Sequence, residues 1–173
     1  MERNGKPGAA RRVALLGILC ALAAALSFLE GFLPVLPVPG AKLGLSNLVT
    51  MVALSSMGLP AALAVTLAKA VFALFRGGTA FLMSLSGGVL STLVMALAWR
   101  LFRRRFSFVG IGLLGAVAHN GGQLGMAVLL LGPSLLAYGP WLLLLALAAG
   151  TATGLTLNLV LPALKRLHIY KDA

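Results

Sequence analysis

Glu30-Gly31-Phe32-Leu33-Pro34-Val35-Leu36-Pro37-Val38-Pro39-Gly40-Ala41-Lys42-Leu43-Gly44-Leu45-Ser46-Asn47 is the stretch on which the fold of this chain turns. It holds Glu30, the only acidic side chain outside the two termini, and three prolines that no continuous helix accommodates. On either side the sequence is nearly uninterrupted hydrocarbon. A polar, proline-rich break between such runs is tolerated at membrane depth only where it is buried in protein, lines a cavity or sits at the membrane surface. We read it as one wall of a binding cavity.

Composition sets the solvent. Hydrophobic residues make up 60% of the 173 residues and charged residues only 10%, against about a quarter charged in a soluble domain. The mean hydropathy is +1.03. These values specify an all-α integral membrane protein, and the length suits six transmembrane helices of about 20 residues each in one compact bundle. The expected organisation is a basic cytosolic tail over 1–12, a six-span membrane domain over 13–165 and a second cytosolic tail over 166–173. A net charge of +11 would suggest nucleic acid for a soluble protein. Here the placement of the charges matters more than their sum, and no nucleic-acid partner is expected. The lone Cys20 forms no internal disulfide and reads as an apolar filler. The run from Val13 to Leu29 exceeds a signal-peptide core of roughly 7 to 15 residues, so it reads as the first span.

The spans follow from the breaks. The first runs from about Val13 to Leu33. The apolar run Leu45–Met57 is short and ends at Gly58-Leu59-Pro60, which suggests a partly broken or tilted second helix. The third covers Ala61–Phe75 and closes on Arg76-Gly77-Gly78; the fourth begins near Ala80 and stops at Arg100, Arg103, Arg104 and Arg105. The fifth runs from about Val109 to Leu131 and the sixth from Trp141 to Leu164. With the N-terminus cytosolic, an even number of spans returns the C-terminus to the cytosol. Eleven of the fourteen basic residues then lie on that side, the exceptions being Lys42, Lys69 and Arg76. The expected location is the cytoplasmic membrane, with the lipid bilayer as an obligatory partner. No sequence repeat relates the two halves, so an inverted-repeat transporter is not supported.

Polar residues inside spans are the candidates for chemistry. Glu30 and Lys42 flank the proline-rich turn, and two readings stand: an ion pair pinning the loop, or an anion site in which Lys42 reaches into the cavity and Glu30 orients it. Arg76 reads either as an interfacial arginine extending to the membrane surface or, with Gly77, Gly78 and Thr79, as a phosphate grip. Lys69 lies about two turns deeper on roughly the same face. At that depth a lysine should face the bundle interior, which favours a functional role. In the fifth span His119 and Gln123 share a face and Asn120 lies about 100° round. These three either bond helices together or form a site, and the flanking glycines favour the site. Ser84, Ser86 and Ser91 line the same cavity or bond back to helical carbonyls. Asn158 reads as a helix-to-helix bond. Nothing supports a metal site, with one interior histidine, no thiolate pair and one nearby carboxylate. Gly17, Ala21 and Ala25 form a small-residue stripe, either for packing inside the bundle or for docking a membrane partner.

Leu29–Pro34, Pro39–Asn47, Ser84–Gly88, Phe106–Gly110 and Gly115–Gln123 together resemble the Gx transporter family, also named heptaprenyl diphosphate synthase component I. The resemblance covers about residues 11 to 165, with Lys-Leu-Gly and His-Asn-x-x-Gln the more specific segments. That family is similar in size and layout to the substrate-binding S components of energy-coupling-factor vitamin transporters. The resemblance implies a vitamin held near the outer face and a transmembrane coupling protein docked on the first helix, which would give the Gly17, Ala21, Ala25 stripe its partner. It further implies flavin movement across the membrane, with riboflavin, FMN or FAD as a transported ligand and not as a prosthetic group. Membrane redox subunits are implied as alternative partners. Carried onto this chain, the implied ligand residues are Glu30, Lys42, Asn47, Arg76, His119, Asn120 and Gln123.

The family's second name implies prenyl chain elongation. Ionising an allylic diphosphate requires Mg²⁺ held by clustered carboxylates. This sequence carries only Glu2, Glu30 and Asp172, so no catalytic residues are expected and the chain reads as a non-enzyme. The leading expectation is a transporter or substrate-binding component for a small anionic aromatic solute, most specifically a flavin. Lys42, Lys69 and Arg76 would meet its charge, while Asn47, His119, Asn120 and Gln123 would bond its ring. No Gly-x-x-x-x-Gly-Lys-Ser/Thr motif is present, so ATP coupling would come from a partner ATPase. The alternative is a non-catalytic membrane accessory subunit that anchors a soluble prenyl synthase through Arg100 and Arg103–Arg105.

Overall fold

The computed structural model describes residues 8–32, 44–102 and 107–166. Lys42, the three prolines of the break, Arg103–Arg105 and most of both tails lie outside the described residues. Six α-helices form a compact bundle: α1 Ala9–Glu30, α2 Asn47–Met57, α3 Leu59–Phe72, α4 Gly78–Phe102, α5 Phe108–Leu131 and α6 Gly139–Arg166. Short 3₁₀ turns, Ala73–Arg76 and Pro133–Tyr138, extend α3 and lead into α6. The helix boundaries follow local chemistry. Gly58 has a φ of 92°, a left-handed conformation that glycine adopts without strain, so α2 stops and Pro60 starts the first turn of α3. Ser107 caps α5, its hydroxyl accepting from the Gly110 amide at 3.4 Å.

Five helical segments are long and apolar enough to cross a membrane, and the chain is a multi-pass membrane protein. The exterior is correspondingly apolar, with Leu129 and Leu159 each 80% exposed. The second segment differs from the rest. It is an unbroken helix of 11 residues, about 16 Å long against a hydrocarbon core of about 30 Å. Val49 to Leu54 are all buried, and α2 touches all five other helices. The short second run is therefore the centre of the bundle, and the main apolar core gathers Leu19, Val65, Met95, Ile111 and Leu157 around it.

Helices α4, α5 and α6 pack backbone against backbone through glycine. A methyl group on Gly122 would stand 2.8 Å from Gly87 Cα, and one on Gly150 would stand 2.7 Å from Leu113 Cα. Such approach replaces the driving force that burial from water supplies elsewhere. It also brings α5 carbonyls within reach of two of the α4 serines. Ser91 donates across to the Gly115 carbonyl of α5 at 2.8 Å, while the Ser86 hydroxyl lies within reach both of the Gly122 carbonyl of α5 at 3.1 Å and of the Met83 carbonyl of its own helix at 3.2 Å. Asn158 is exposed, a correction to its reading as a helix-to-helix bond: Thr153, Gly154 and Leu157 take the buried face of α6 instead.

Candidate functional site

The end of α1, the start of α2 and the last turns of α3 converge on one charged cluster. Glu30 is the final residue of α1 and only 4% exposed. Its carboxylate accepts from the Leu45 backbone N–H and from the Ser46 hydroxyl at 3.4 Å, tying α1 to the turn that opens α2. Asn47, the first residue of α2, accepts from the Lys69 ammonium at 2.6 Å through its Oδ1. Lys69 is 1% exposed and the largest fully buried side chain among the described residues. It lies seven residues before Arg76, about 10 Å further into the bundle, so its ammonium is held inside. Gly88 of α4 opens space for it: a methyl group there would stand 3.5 Å from Lys69 Cε. Glu30 acts electrostatically on both Lys69 and Arg76.

The fifth helix brings a polar face to this cluster. His119 and Gln123 are buried, four residues apart and on one face. A methyl group on Gly44 would stand 3.5 Å from His119 Cδ2 and 2.9 Å from Asn47 Nδ2, so the imidazole lies beside the Asn47 amide. Gln123 packs on α4, its Cγ lying 2.7 Å from where a Gly87 side chain would begin. Asn120 points elsewhere. Its Nδ2 donates to the Leu142 carbonyl of α6 at 2.9 Å, and it lines a separate groove of about 150 Å³ between those two helices. Arg76 sits at the rim, its guanidinium against Gly31 at the end of α1.

The structure therefore unites Glu30, Asn47 and Lys69 with His119 beside them, packs Gln123 against α4, sets Arg76 at the edge and turns Asn120 towards α6. Lys42 lies outside the described residues. Thr50 and Thr66 belong to the same layer and were missed by the sequence reading. Both are fully buried, three residues from Asn47 and Lys69 respectively, and Thr66 bonds Thr92 of α4 at 2.7 Å. Their helical spacing from the two site residues was the available signal. Among the described residues the cluster holds two cations, Lys69 and Arg76, and one carboxylate, Glu30. Its surplus is positive, which favours an anion. The Gly17, Ala21, Ala25 stripe is exposed on the outward face of α1, while Leu19, Ala23 and Ala24 face the core. Packing inside the bundle is not its role.

A family model described as heptaprenyl diphosphate synthase component I matches residues 19–160, from mid-α1 to the last turns of α6. No curated protein and no solved structure matches the chain.

Proposed function

The chain belongs to the heptaprenyl diphosphate synthase component I family, and from that premise we propose that it binds a small anionic aromatic solute and moves it across the cytoplasmic membrane. A flavin is the leading candidate. The observation that carries this reading is the buried Lys69 ammonium held by the neutral Asn47 amide. Placing a lysine at the centre of a membrane helix costs about 2.5–3.5 kcal/mol on insertion scales. Asn47 orients that charge without cancelling it, and Glu30 is shared with Arg76. An anionic group of the solute would complete the neutralisation, while His119, Gln123 and Asn47 offer hydrogen bonds to a ring edge.

In this reading both termini are cytosolic and the cluster lies at the outer end, with Lys42 and Arg76 meeting the solute on its way in. The exposed Gly17, Ala21, Ala25 stripe is the docking face for a coupling subunit that brings an ATPase. Titration of the purified chain with riboflavin, FMN and FAD, followed by flavin fluorescence, tests the proposal. Saturable binding that weakens in Lys69→Met is expected. A folded protein that binds none of the three removes the flavin.

A second reading is favoured by the family description: a non-catalytic membrane subunit of a heptaprenyl diphosphate synthase. Arg100 at the end of α4 and Lys165 and Arg166 at the end of α6 would contact the soluble catalytic chain. Co-purification with that chain, undisturbed by flavin, would favour this role.

A further inference from the structure

The outward face between α1 and the end of α3 is grooved, and the groove is chemically graded along its length. Its volume is about 690 Å³. Ala21 and Ala25 form the floor. Two phenylalanine pairs form the walls: Phe28 and Phe32 with ring centroids 4.9 Å apart on the α1 side, and Phe72 and Phe75 at 5.9 Å on the α3 side. All four rings are substantially exposed, Phe75 by 80%. From Ala21 to Phe32 the groove runs about 16 Å at the helical rise, which is the depth of one leaflet of a hydrocarbon core about 30 Å thick. Arg76, the last residue of the 3₁₀ turn that extends α3, lines one end of the groove.

Among the described residues Arg76 keeps one donor unused. Its Nη2 is buried and has no hydrogen-bond partner among the described residues. The carboxylate nearest in charge, Glu30, already receives the Leu45 amide and the Ser46 hydroxyl. An apolar trough one leaflet deep, headed by a guanidinium with an unused donor, matches an amphiphile with one apolar chain along Ala21 and Ala25 and an anionic headgroup at Arg76.

We propose that the α1–α3 groove is a binding site for an anionic phospholipid, whose acyl chain lies between the two phenylalanine pairs and whose phosphate accepts from Arg76. The groove lies outside the buried Lys69 cluster and shares only Arg76 with its rim, so the lipid site holds whichever solute that cluster takes. Because Ala21 and Ala25 also belong to the exposed stripe, a membrane partner docking there displaces the lipid chain.

The test uses the full chain, purified and delipidated in detergent, with native mass spectrometry reading bound lipid. Phosphatidylglycerol and a diacylglycerol with identical acyl chains, which lacks the phosphate, are compared. The wild-type chain is expected to hold phosphatidylglycerol about ten-fold more tightly, the size of one charge-assisted hydrogen bond. Arg76→Gln abolishes the preference, Arg76→Lys retains most of it, and Arg100→Gln at the opposite end leaves it unchanged. Ala25→Phe fills the floor and lowers the occupancy of both lipids. If Arg76→Gln fails to fold, Ala25→Phe and the headgroup comparison still decide. Equal binding of the two lipids by the wild-type chain, or an unaltered preference in Arg76→Gln, or full occupancy in Ala25→Phe, overturns the site.

Discussion

Lys69 and Asn47 meet across the α2–α3 contact at 2.6 Å, with both side chains buried. The short central helix thus presents its first residue to the deepest charge of the bundle. A change at the ammonium reaches α2 through that amide, and a change in the turn before α2 reaches the ammonium by the same route.

Replacing Lys69 tests its role in recognising charge. In Lys69→Met the apolar stem is kept and the ammonium is lost. FMN affinity should fall by about ten- to a hundred-fold, matching the roughly 1.5–3 kcal/mol of a hydrogen bond to a charged group. Riboflavin, which lacks the phosphate, should lose much less. Parallel fluorescence titrations of the two ligands provide the comparison, and equal losses would remove Lys69 from phosphate recognition.

Glu30 separates structural from electrostatic effects. Glu30→Ala leaves the Leu45 amide and the Ser46 hydroxyl without their acceptor, at about 1–3 kcal/mol for an unsatisfied buried group. Its thermal midpoint in detergent should drop clearly. Glu30→Gln keeps an acceptor while removing the negative charge, so its stability should lie between the two. Its FMN-to-riboflavin affinity ratio should rise above that of the wild-type chain, because the cluster loses the one carboxylate that offsets Lys69 and Arg76.

The glycines of α6 should divide sharply from those on the open face of α5. Gly150→Ala places a methyl group 2.7 Å from Leu113 Cα, a backbone atom that cannot step aside, and overpacking of this kind costs about 1–3 kcal/mol. Gly121→Ala meets nothing within 4 Å and should be neutral or gain up to about 1 kcal/mol of helix propensity. Thermal unfolding of the two variants side by side makes the measurement.

Orientation is open to direct labelling. Single cysteines at Gly8 and Arg166, in a Cys20→Ala background, should both be shielded from a membrane-impermeant maleimide added to intact cells. A cysteine at Thr79, exposed at the start of α4, should react. The opposite pattern would place the charged cluster on the cytosolic side and reverse the direction of access.

The sequence by itself determined the solvent, the number of helices and most of their ends, because those depend on local quantities: apolar run length, proline, and glycine able to adopt positive φ. It also determined that Lys69, His119 and Gln123 face inward, since charge and amide groups in hydrocarbon have few other places to go and helical spacing fixes which of them share a face. What only the tertiary structure decided is which inward faces meet. Asn120 is adjacent to His119 in the chain, yet the turn of the helix sends it to the Leu142 carbonyl of α6. Thr50 and Thr66 read as ordinary span residues until the central position of α2 brings them into the Lys69 layer. Ser91 stood between lining the cavity and bonding back to a helical carbonyl until glycine let α5 come close enough for the Gly115 carbonyl to accept its bond. The groove headed by Arg76 exists only because α1 and α3 lie side by side with small residues on one and rings on both. Such pairings are set by packing between segments far apart in the chain, and no local pattern encodes them.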